Sequence, residues 1–225
     1  MIFKDREEAG KILGEKLAEY KEDAIVLAIP RGGVPVAYRI SKKINAPLDV
    51  VVVRKIPIPS DPEAGFGAVT ADGTIVLNEP LVSYLRLEPR EIEFLARKVM
   101  MEVSRRIKKY RKEKPFPEIT GKNVIVVDDG LASGFTMLAA LKYLKKFNPR
   151  KIIIAVPTAS ARAIEVVEPE ADEIVNLISD DRPFFAVASF YESFPDLTDE
   201  EVIEYLEKKL NEIREITSNL EKDII

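Results

Sequence analysis

The chain contains no cysteine, no histidine and no tryptophan among its 225 residues. Without cysteine it can form neither a disulfide nor a thiolate nucleophile, and it cannot bind a metal through sulfur. Without histidine it cannot use a Ser-His triad or a histidine general base, and it lacks the ligands of most zinc sites. Any bound metal should therefore be a hard, oxygen-ligated ion such as Mg²⁺.

An excess of positive charge is also missing. Lys and Arg number 34 and Asp and Glu 38, which gives a formal net charge of −4. Because a nucleic-acid-binding surface needs a basic excess, we expect no nucleic acid among the partners. No apolar run approaches the roughly 20 residues of a membrane span, and the charged start of the chain resembles no secretory segment. We therefore expect a cytoplasmic protein that does not contact a membrane.

Hydrophobic residues make up 46% of the chain and fall into alternating strand-like and helix-like segments. Such alternation is typical of an α/β fold, in which a parallel twisted sheet carries helices on both faces. Buried strands are predicted at residues 24–29, 49–53, 124–127, 151–156 and 173–178.

The length suits one domain over residues 1–225. We divide it into a core of about 1–178, a lid hairpin of about 56–78, and a hood with a C-terminal helix at about 179–225. Within the lid, residues 56–66 hold four Pro or Gly and predict a long mobile loop. An Asp-Gly turn then predicts a hairpin over residues 67–77.

Residues 124–136 form the most informative segment. Four apolar residues are followed by Asp128 and Asp129, a Gly/Ser/Thr loop, and an apolar-periodic helix. A helix that begins there directs backbone N–H groups and the positive end of its dipole at one spot, which suits a phosphate. Carboxylates accept hydrogen bonds from hydroxyl groups, so the two Asp residues suit a polyol or a metal ion. A ribose 5-phosphate meets both requirements.

Two basic loops are predicted at the same edge of the sheet. Arg31, Gly32 and Gly33 follow the first strand, and Arg54 and Lys55 follow the second. An open parallel sheet binds ligands beyond the carboxyl ends of its strands. Each loop alone also fits a structural role, because glycines form turns and basic residues are usually solvated. The coincidence of three such loops at one edge favours a ligand site.

Residues 126–136 resemble the phosphoribosyl-pyrophosphate (PRPP) signature of the type I phosphoribosyltransferases. That signature is a strand ending in two acidic residues, then a loop ending Thr/Ser-Gly-x-Thr, and Ser133, Gly134 and Thr136 occupy its last positions. Residues 30–37 resemble the pyrophosphate loop of the family, and Arg54-Lys55 stand where the family has its catalytic lid. The likeness covers about residues 1–195 and is closest to poorly characterised bacterial and archaeal members.

The resemblance implies a role for each matching residue. Asp128 and Asp129 would bind the 2′ and 3′ hydroxyls of the ribose. Arg31, Gly32 and Gly33 would hold the pyrophosphate, in a loop that often contains a cis peptide, and Arg54 and Lys55 would assist from the lid. The 5-phosphate would be bound by the loop composed of Gly130, Leu131, Ala132, Ser133, Gly134, Phe135 and Thr136.

The implied enzyme is a pentosyltransferase in which a nitrogen acceptor, a nucleobase, displaces pyrophosphate at ribose C1. Arg31, Lys55, Asp128 and Asp129 are the candidate catalytic residues, because the mechanism needs positioning and electrostatics rather than histidine. Mg²⁺ is the implied cofactor, held mainly by PRPP, with the two Asp residues as the candidate protein ligands. A homodimer is the family expectation. The candidate acceptor-binding residues are aromatic: Phe184, Phe185, Phe190 and Tyr191.

Three alternative functions compete with this one. A non-catalytic PRPP-binding regulator would keep the same pocket, but its expected basic nucleic-acid-binding face is disfavoured by the charge of −4. A phosphorelay receiver also has an acidic pair after a strand, but it needs an Asp one strand later, and here that strand is followed by Pro157-Thr158. A dehydrogenase is disfavoured because the chain has no GxGxxG segment.

Overall fold

Five apolar, largely β-branched segments form a parallel sheet at the centre of the molecule. They are β1 (Ala24–Ala28), β2 (Leu48–Val50), β6 (Asn123–Val127), β7 (Lys151–Ser160) and β8 (Glu173–Asp180). Their order in the sheet is β2-β1-β6-β7-β8, and every neighbouring pair is parallel. The computed structural model describes residues 1–21, 23–59, 61–112, 114–182 and 184–222, and of these the side chains at 62, 63 and 216–222 are not described.

Helices cover both faces of this sheet, as the sequence predicts. They are α1 (Arg6–Lys16), α2 (Gly33–Lys43), α5 (Phe135–Lys145), α6 (Ala161–Val167) and α7 (Asp199–Lys222). On one face α5 and α6 pack on alternate residues of the strands, with Met137, Leu141 and Ala163 fully buried. On the other face α1, α2 and α7 do the same through Leu13, Ile40 and Val202.

A second, antiparallel sheet lies beside the first, and we call it the small sheet. Its strands are β3 (Val53–Ile58), β4 (Asp61–Thr70) and β5 (Ile75–Leu77), in the order β3-β4-β5. Helices α3 (Glu79–Leu85) and α4 (Pro89–Arg111) pack on it around a small core that includes Ile56, Phe66 and Val82. Helix α3 was not predicted from the sequence, and α4 packs through apolar residues at helical spacing that include Ile92, Leu95 and Val99.

The small sheet corrects two predictions. The predicted strand 49–53 is broken, because β2 pairs only as far as β1 extends, and Val51 makes the last bond to Ala28. Arg54 and Lys55 therefore lie inside β3 rather than in a loop after a strand of the main sheet. The prediction of a long loop at 56–66 is also wrong: the described residues there form paired strands, whose register shifts on either side of Pro57 absorb the irregularity. The hairpin with its Asp72-Gly73 turn is confirmed.

The last two strands are longer than predicted. Strands expected to end at 156 and 178 continue to Ser160 and Asp180, where Thr158 pairs with Ile178. The strands were predicted to end where their apolar runs end. The polar residues that follow continue the strands, because backbone pairing does not require apolar side chains. Among the described residues, no helix has the length and apolar character that crossing a membrane requires.

Candidate functional site

The acidic pair follows the central strand of the main sheet. Strand β6 is buried along its whole length between β1 and β7, and Asp128 and Asp129 come directly after it. The loop that follows is held to β7 through Leu131, whose N–H donates to Thr158 O at 2.9 Å and whose carbonyl accepts from Ser160 N at 2.9 Å. The Leu131 side chain is buried in the core, so this residue anchors the loop to β7.

Helix α5 begins at this loop without a side-chain cap. Its N-cap is Gly134, which has φ +79°, and no described side chain accepts from the N–H groups of the first turn. A side chain at position 134 would be strained, and its Cβ would lie 2.9 Å from Ala163 O. The open N–H groups and the positive end of the helix dipole therefore remain available to an anion.

These groups line a cleft of about 480 Å³, which we call the motif cleft. It contains Asp128 and every residue from Gly130 to Met137. Lys55, from strand β3, and Gly65, from strand β4, line the opposite side. The structure thus places Lys55, one of the two predicted lid residues, beside the predicted phosphate loop. Lys55 reaches it from strand β3 and not from a loop that follows a strand of the main sheet.

The Arg31 loop lies against the same acidic pair. The peptide bond between Pro30 and Arg31 is cis, and Ile29 N donates to Val127 O at 2.8 Å. Helix α2 begins so close to the end of β6 that a Cβ on Gly33 would lie 2.6 Å from Val127 O. A Cβ on Gly32 would overlap the Asp129 carboxylate. Gly33 is therefore required by the backbone of β6, whereas a side chain at position 32 would require the Asp129 carboxylate to move.

The two carboxylates differ in their surroundings. Asp129 accepts from Arg6 Nε at 2.8 Å, in an ion pair whose side chains are only 14% and 8% exposed. Asp128 lines the motif cleft, and its Oδ1 accepts from Asp129 N at 2.8 Å. Burial, reinforced by the neighbouring Asp129 carboxylate, raises the pKa of Asp128 well above its usual value. Asp128 is therefore a half-buried carboxyl open to the motif cleft, whereas Asp129 is held by its ion pair with Arg6.

Arg6 connects Asp129 with the hood. Its Nη1 donates to Pro195 O at 2.7 Å, and its guanidinium lies 3.6 Å from the ring centroid of Phe194. Tyr191 adds a second link, because its hydroxyl donates to Asp129 O at 2.7 Å. Arg6 was not predicted from the sequence. It lies in the first turn of α1, about 120 residues from its partner, and no local pattern relates the two positions.

A second cleft of about 420 Å³ lies on the Asp129 side of the strand end. Four arginines line it, Arg6, Arg31, Arg54 and Arg106, together with the carboxylates of Asp129 and Asp196. We call it the arginine pocket. The hood closes one side of it with Val187, Phe194 and Leu197. Arg106 comes from the middle of α4, where an arginine is one of many charges on an amphipathic helix, so it too was not predicted from the sequence.

The four aromatic residues predicted for the acceptor line neither cleft. Phe184 is 95% exposed, and Phe185 and Phe190 pack against each other with ring centroids 5.4 Å apart. Tyr191 is buried against Phe3 and Phe194. The hood residues that do reach the arginine pocket are Val187, Phe194, Asp196 and Leu197, which composition alone did not distinguish from their neighbours.

The carboxylates near the two clefts determine how the protein could bind the predicted Mg²⁺. Among the described residues, no group of three or more acidic side chains could hold a metal alone. Asp128, which lines the motif cleft, and Asp129, which lines the arginine pocket, are adjacent carboxylates. That pair fits an ion that takes one or two protein oxygens and completes its shell with phosphate and hydroxyl oxygens.

Comparison with protein families gives one consistent result. A sequence model described as the phosphoribosyl transferase domain matches residues 3–192. Proteins of two Mycobacterium tuberculosis strains, CDC 1551 and H37Rv, carry the provisional name phosphoribosyl transferase and are 38% identical over 208 residues. The match covers 92% of this chain and 47% of those proteins, so the chain spans about half the length of these curated relatives.

Solved structures agree with the sequence comparison. The protein TT1426 from Thermus thermophilus is 38% identical, with a TM-score of 0.75 over 92% of this chain and 98% of that one. A Neisseria gonorrhoeae protein crystallised with ppGpp is 20% identical, with a TM-score of 0.50 over 92% of this chain and 98% of that one. At that identity the second likeness shows a shared fold and nothing about the ligand.

Proposed function

The chain belongs to the phosphoribosyl transferase family and has its α/β fold, and on that premise we propose that it transfers ribose 5-phosphate from PRPP to a nitrogen acceptor with release of pyrophosphate. One observation carries the proposal: two clefts that suit anions meet at the acidic pair that follows β6. PRPP has a phosphate at one end, a diphosphate at the other, and two hydroxyls between them.

In this proposal the motif cleft binds the 5-phosphate. The uncapped first turn of α5 and the hydroxyls of Ser133 and Thr136 supply hydrogen-bond donors, and the helix dipole supplies a favourable field. Asp128 accepts a hydrogen bond from a ribose hydroxyl in the same cleft. Asp129, oriented by Arg6, accepts from the other hydroxyl through its Oδ1, since its Oδ2 accepts from Arg6.

The reaction breaks the bond between ribose C1 and the diphosphate oxygen, and a bond forms from the acceptor nitrogen to C1. Negative charge grows on the diphosphate while positive charge grows on the ribose ring. Arg31, which lines the arginine pocket, stabilises the first directly, and Lys55 adds its positive charge from the neighbouring motif cleft. The carboxylates of Asp128 and Asp129 stabilise the second. Bound Mg²⁺ would neutralise part of the diphosphate charge. The nitrogen that attacks loses its proton to solvent or to pyrophosphate.

A nucleobase is the proposed acceptor, and the hood is its proposed side of entry. The hood lies directly over the phosphate loop, since a Cβ on Gly130 would lie 2.6 Å from Val187 Cγ1. In this proposal the hood limits the access of water to the reactive cation on that side. We also propose that the protein forms a homodimer.

Titration with PRPP and Mg²⁺, followed by a screen for pyrophosphate release over purine and pyrimidine bases, tests the proposal. We expect binding to the parent protein, and loss of binding in the double variant Asp128→Ala with Asp129→Ala. If the double variant binds PRPP as well as the parent does, the site is wrongly assigned. The control is Glu93→Ala on α4, which removes an exposed carboxylate paired with Arg97.

A PRPP-binding regulator is the second candidate. The observation that favours it is the Arg6–Asp129 ion pair, which occupies one oxygen of the carboxylate that catalysis would use. PRPP binding without pyrophosphate release for any base in the screen would support this candidate over the transferase.

A further inference from the structure

The arginine pocket has more positive charge than its protein partners neutralise. Arg6 is paired with Asp129, but Arg31 forms no ion pair with any residue that the structure describes. Arg54 and Arg106 share a single carboxylate, Glu102. Asp196, the other acidic residue of the lining, is exposed at the mouth. Three guanidinium groups therefore face one small volume with little compensation.

Glu102 holds two of these groups side by side. Its Oε1 lies 3.1 Å from Arg54 Nη1 and accepts a hydrogen bond from Arg106 Nε at 3.1 Å. Arg54 comes from strand β3 and Arg106 from helix α4, so one oxygen joins the small sheet to the helix that packs on it. Arg106 is only 11% exposed, and its position is fixed by that packing.

Arg54 and Arg106 are not needed to neutralise the charge of Glu102. Arg105, the preceding residue, already binds Glu102 through two hydrogen bonds, from Nε at 2.7 Å and from Nη2 at 2.8 Å. Arg105 also pairs with Asp199 at 3.2 Å, so two carboxylates face three arginines and an excess of positive charge remains. Burial and the nearby charge of Arg106 lower the pKa of Arg54, which shows that the groups repel each other. An anion bound in the pocket would relieve this repulsion.

We propose that Arg106, held beside Arg54 by Glu102, forms with Arg31 a three-guanidinium site for the diphosphate of PRPP and for released pyrophosphate. This inference rests on the proposed function and deepens it. A diphosphate offers several oxygens in two planes, and guanidinium groups bind such oxygens in pairs. The site would therefore distinguish ligands with a diphosphate from those with a single phosphate.

Calorimetric titration with Mg²⁺-pyrophosphate, with Mg²⁺-PRPP and with ribose 5-phosphate tests the inference. For Arg106→Gln we expect pyrophosphate and PRPP to bind about 10- to 100-fold more weakly, the usual effect of losing charge-assisted hydrogen bonds. Ribose 5-phosphate should bind within about twofold of its parent affinity, because it lacks the diphosphate.

Arg105→Gln is the matched control. It removes the same charge from the adjacent residue, which also binds Glu102. Arg105 does not line the pocket. We expect it to bind all three ligands within about twofold of the parent. Equal affinities of Arg106→Gln and Arg105→Gln for pyrophosphate would overturn the inference, as would a loss in Arg106→Gln that is equally large for ribose 5-phosphate.

Two further variants protect the test against misfolding and separate positioning from binding. Arg106→Lys keeps the charge but not the planar fork, so we expect an affinity for pyrophosphate between those of the parent and Arg106→Gln. Glu102→Gln keeps all three pocket arginines but weakens their alignment, and we expect a higher KM for PRPP with little change in kcat. If Arg106→Gln does not fold, a parent-like affinity of Arg106→Lys together with a parent-like KM of Glu102→Gln would overturn the inference.

The inference and the proposed function can fail separately. If no base releases pyrophosphate from PRPP but pyrophosphate binds and Arg106→Gln weakens it, the transferase proposal fails and the diphosphate site stands. If transfer is observed and Arg106→Gln leaves both KM and pyrophosphate affinity unchanged, the proposed function stands and the diphosphate site fails.

Discussion

The motif cleft and the arginine pocket lie on opposite sides of one acidic pair, yet they are built from different groups. The motif cleft offers mainly backbone N–H groups at the start of α5, beside the half-buried Asp128. The arginine pocket offers guanidinium groups from α1, the loop before α2, β3 and α4. The first depends on the direction of one loop, and the second on the packing of four separate elements.

This difference determines how each half should respond to mutation. Backbone donors cannot be removed by truncating a side chain, so the motif cleft is vulnerable mainly to changes that alter its backbone. The arginine pocket can lose its donors one at a time, and each loss leaves the others in place. Four predictions test this contrast, in order of the size of the expected effect.

The largest effect is expected at Arg6, the residue that joins the two halves. Arg6→Met removes the partner of a carboxylate that is only 14% exposed, and we expect it to lower the free energy of unfolding. The expected loss is about 3 kcal/mol, because breaking a buried pair leaves one charge uncompensated. Chemical denaturation monitored by circular dichroism measures it.

Arg39→Met is the matched control for that prediction. Arg39 pairs with Glu7, but the two side chains are 25% and 31% exposed, so solvent screens the interaction. We expect a loss of no more than about 1 kcal/mol. Similar losses in the two variants would show that the Arg6–Asp129 pair is an ordinary surface contact.

A smaller but selective effect is expected in the backbone of the motif cleft. Gly134→Ala places a Cβ on a residue with φ +79°, which costs about 1–2 kcal/mol and displaces the start of α5. Ribose 5-phosphate should therefore bind at least about 10-fold more weakly, while pyrophosphate affinity changes little. Ser133→Ala removes one hydroxyl donor but leaves the backbone donors, so we expect it to weaken ribose 5-phosphate binding less than Gly134→Ala does. Parallel losses for the two ligands in Gly134→Ala would contradict the separation of the clefts.

Lys55 tests whether the small sheet takes part in chemistry. It lines the motif cleft from β3, and in the proposed mechanism it stabilises charge that appears only as the C1 bond breaks. For Lys55→Ala we expect kcat to fall about 10-fold or more, with a smaller change in the dissociation constant of PRPP. Steady-state kinetics alongside direct titration separates the two quantities. An unchanged kcat with weakened PRPP binding would make Lys55 a binding residue only.

The smallest effect is the acid sensitivity of the Glu102 cluster. Hydrogen bonds from Arg105 and then from Arg106, against the opposing effect of burial, lower the pKa of Glu102 from 4.5 to about 2. A depressed folded-state pKa contributes stability that is present above pH 4.5 and is lost as the pH falls towards 2. The melting temperature of the parent should therefore exceed that of Glu102→Gln near neutral pH, and the gap should narrow across this window. A gap independent of pH would show that the carboxylate charge is unimportant.

The sequence predicted the half of the site that depends on local pattern. Asp128, Asp129 and residues 130–136 are contiguous, and Arg31 lies beside them because β1 and β6 are neighbours in the sheet. Arg6 and Arg106 could not be found in this way, because each reaches the site through the packing of a helix. The same limit explains Arg54 and Lys55, whose approach to the site depends on where β2 ends and β3 begins.

The hood shows a related limit. Aromatic residues marked it as the acceptor region, but Phe185, Phe190 and Tyr191 are used to hold it against the N-terminal segment, where Phe3 N donates to Phe190 O at 2.8 Å. Large apolar side chains are as suited to packing as to stacking on a ligand, and only the path of the chain decides between the two.

A crystal structure with PRPP and Mg²⁺ tests the central claim most directly. We predict that the 5-phosphate lies at the start of α5, that the ribose hydroxyls face Asp128 and Asp129, and that the diphosphate contacts Arg31 and Arg106. A PRPP molecule bound in the reverse direction, with its 5-phosphate among the arginines, would contradict it, as would a complex in which PRPP occupies neither cleft.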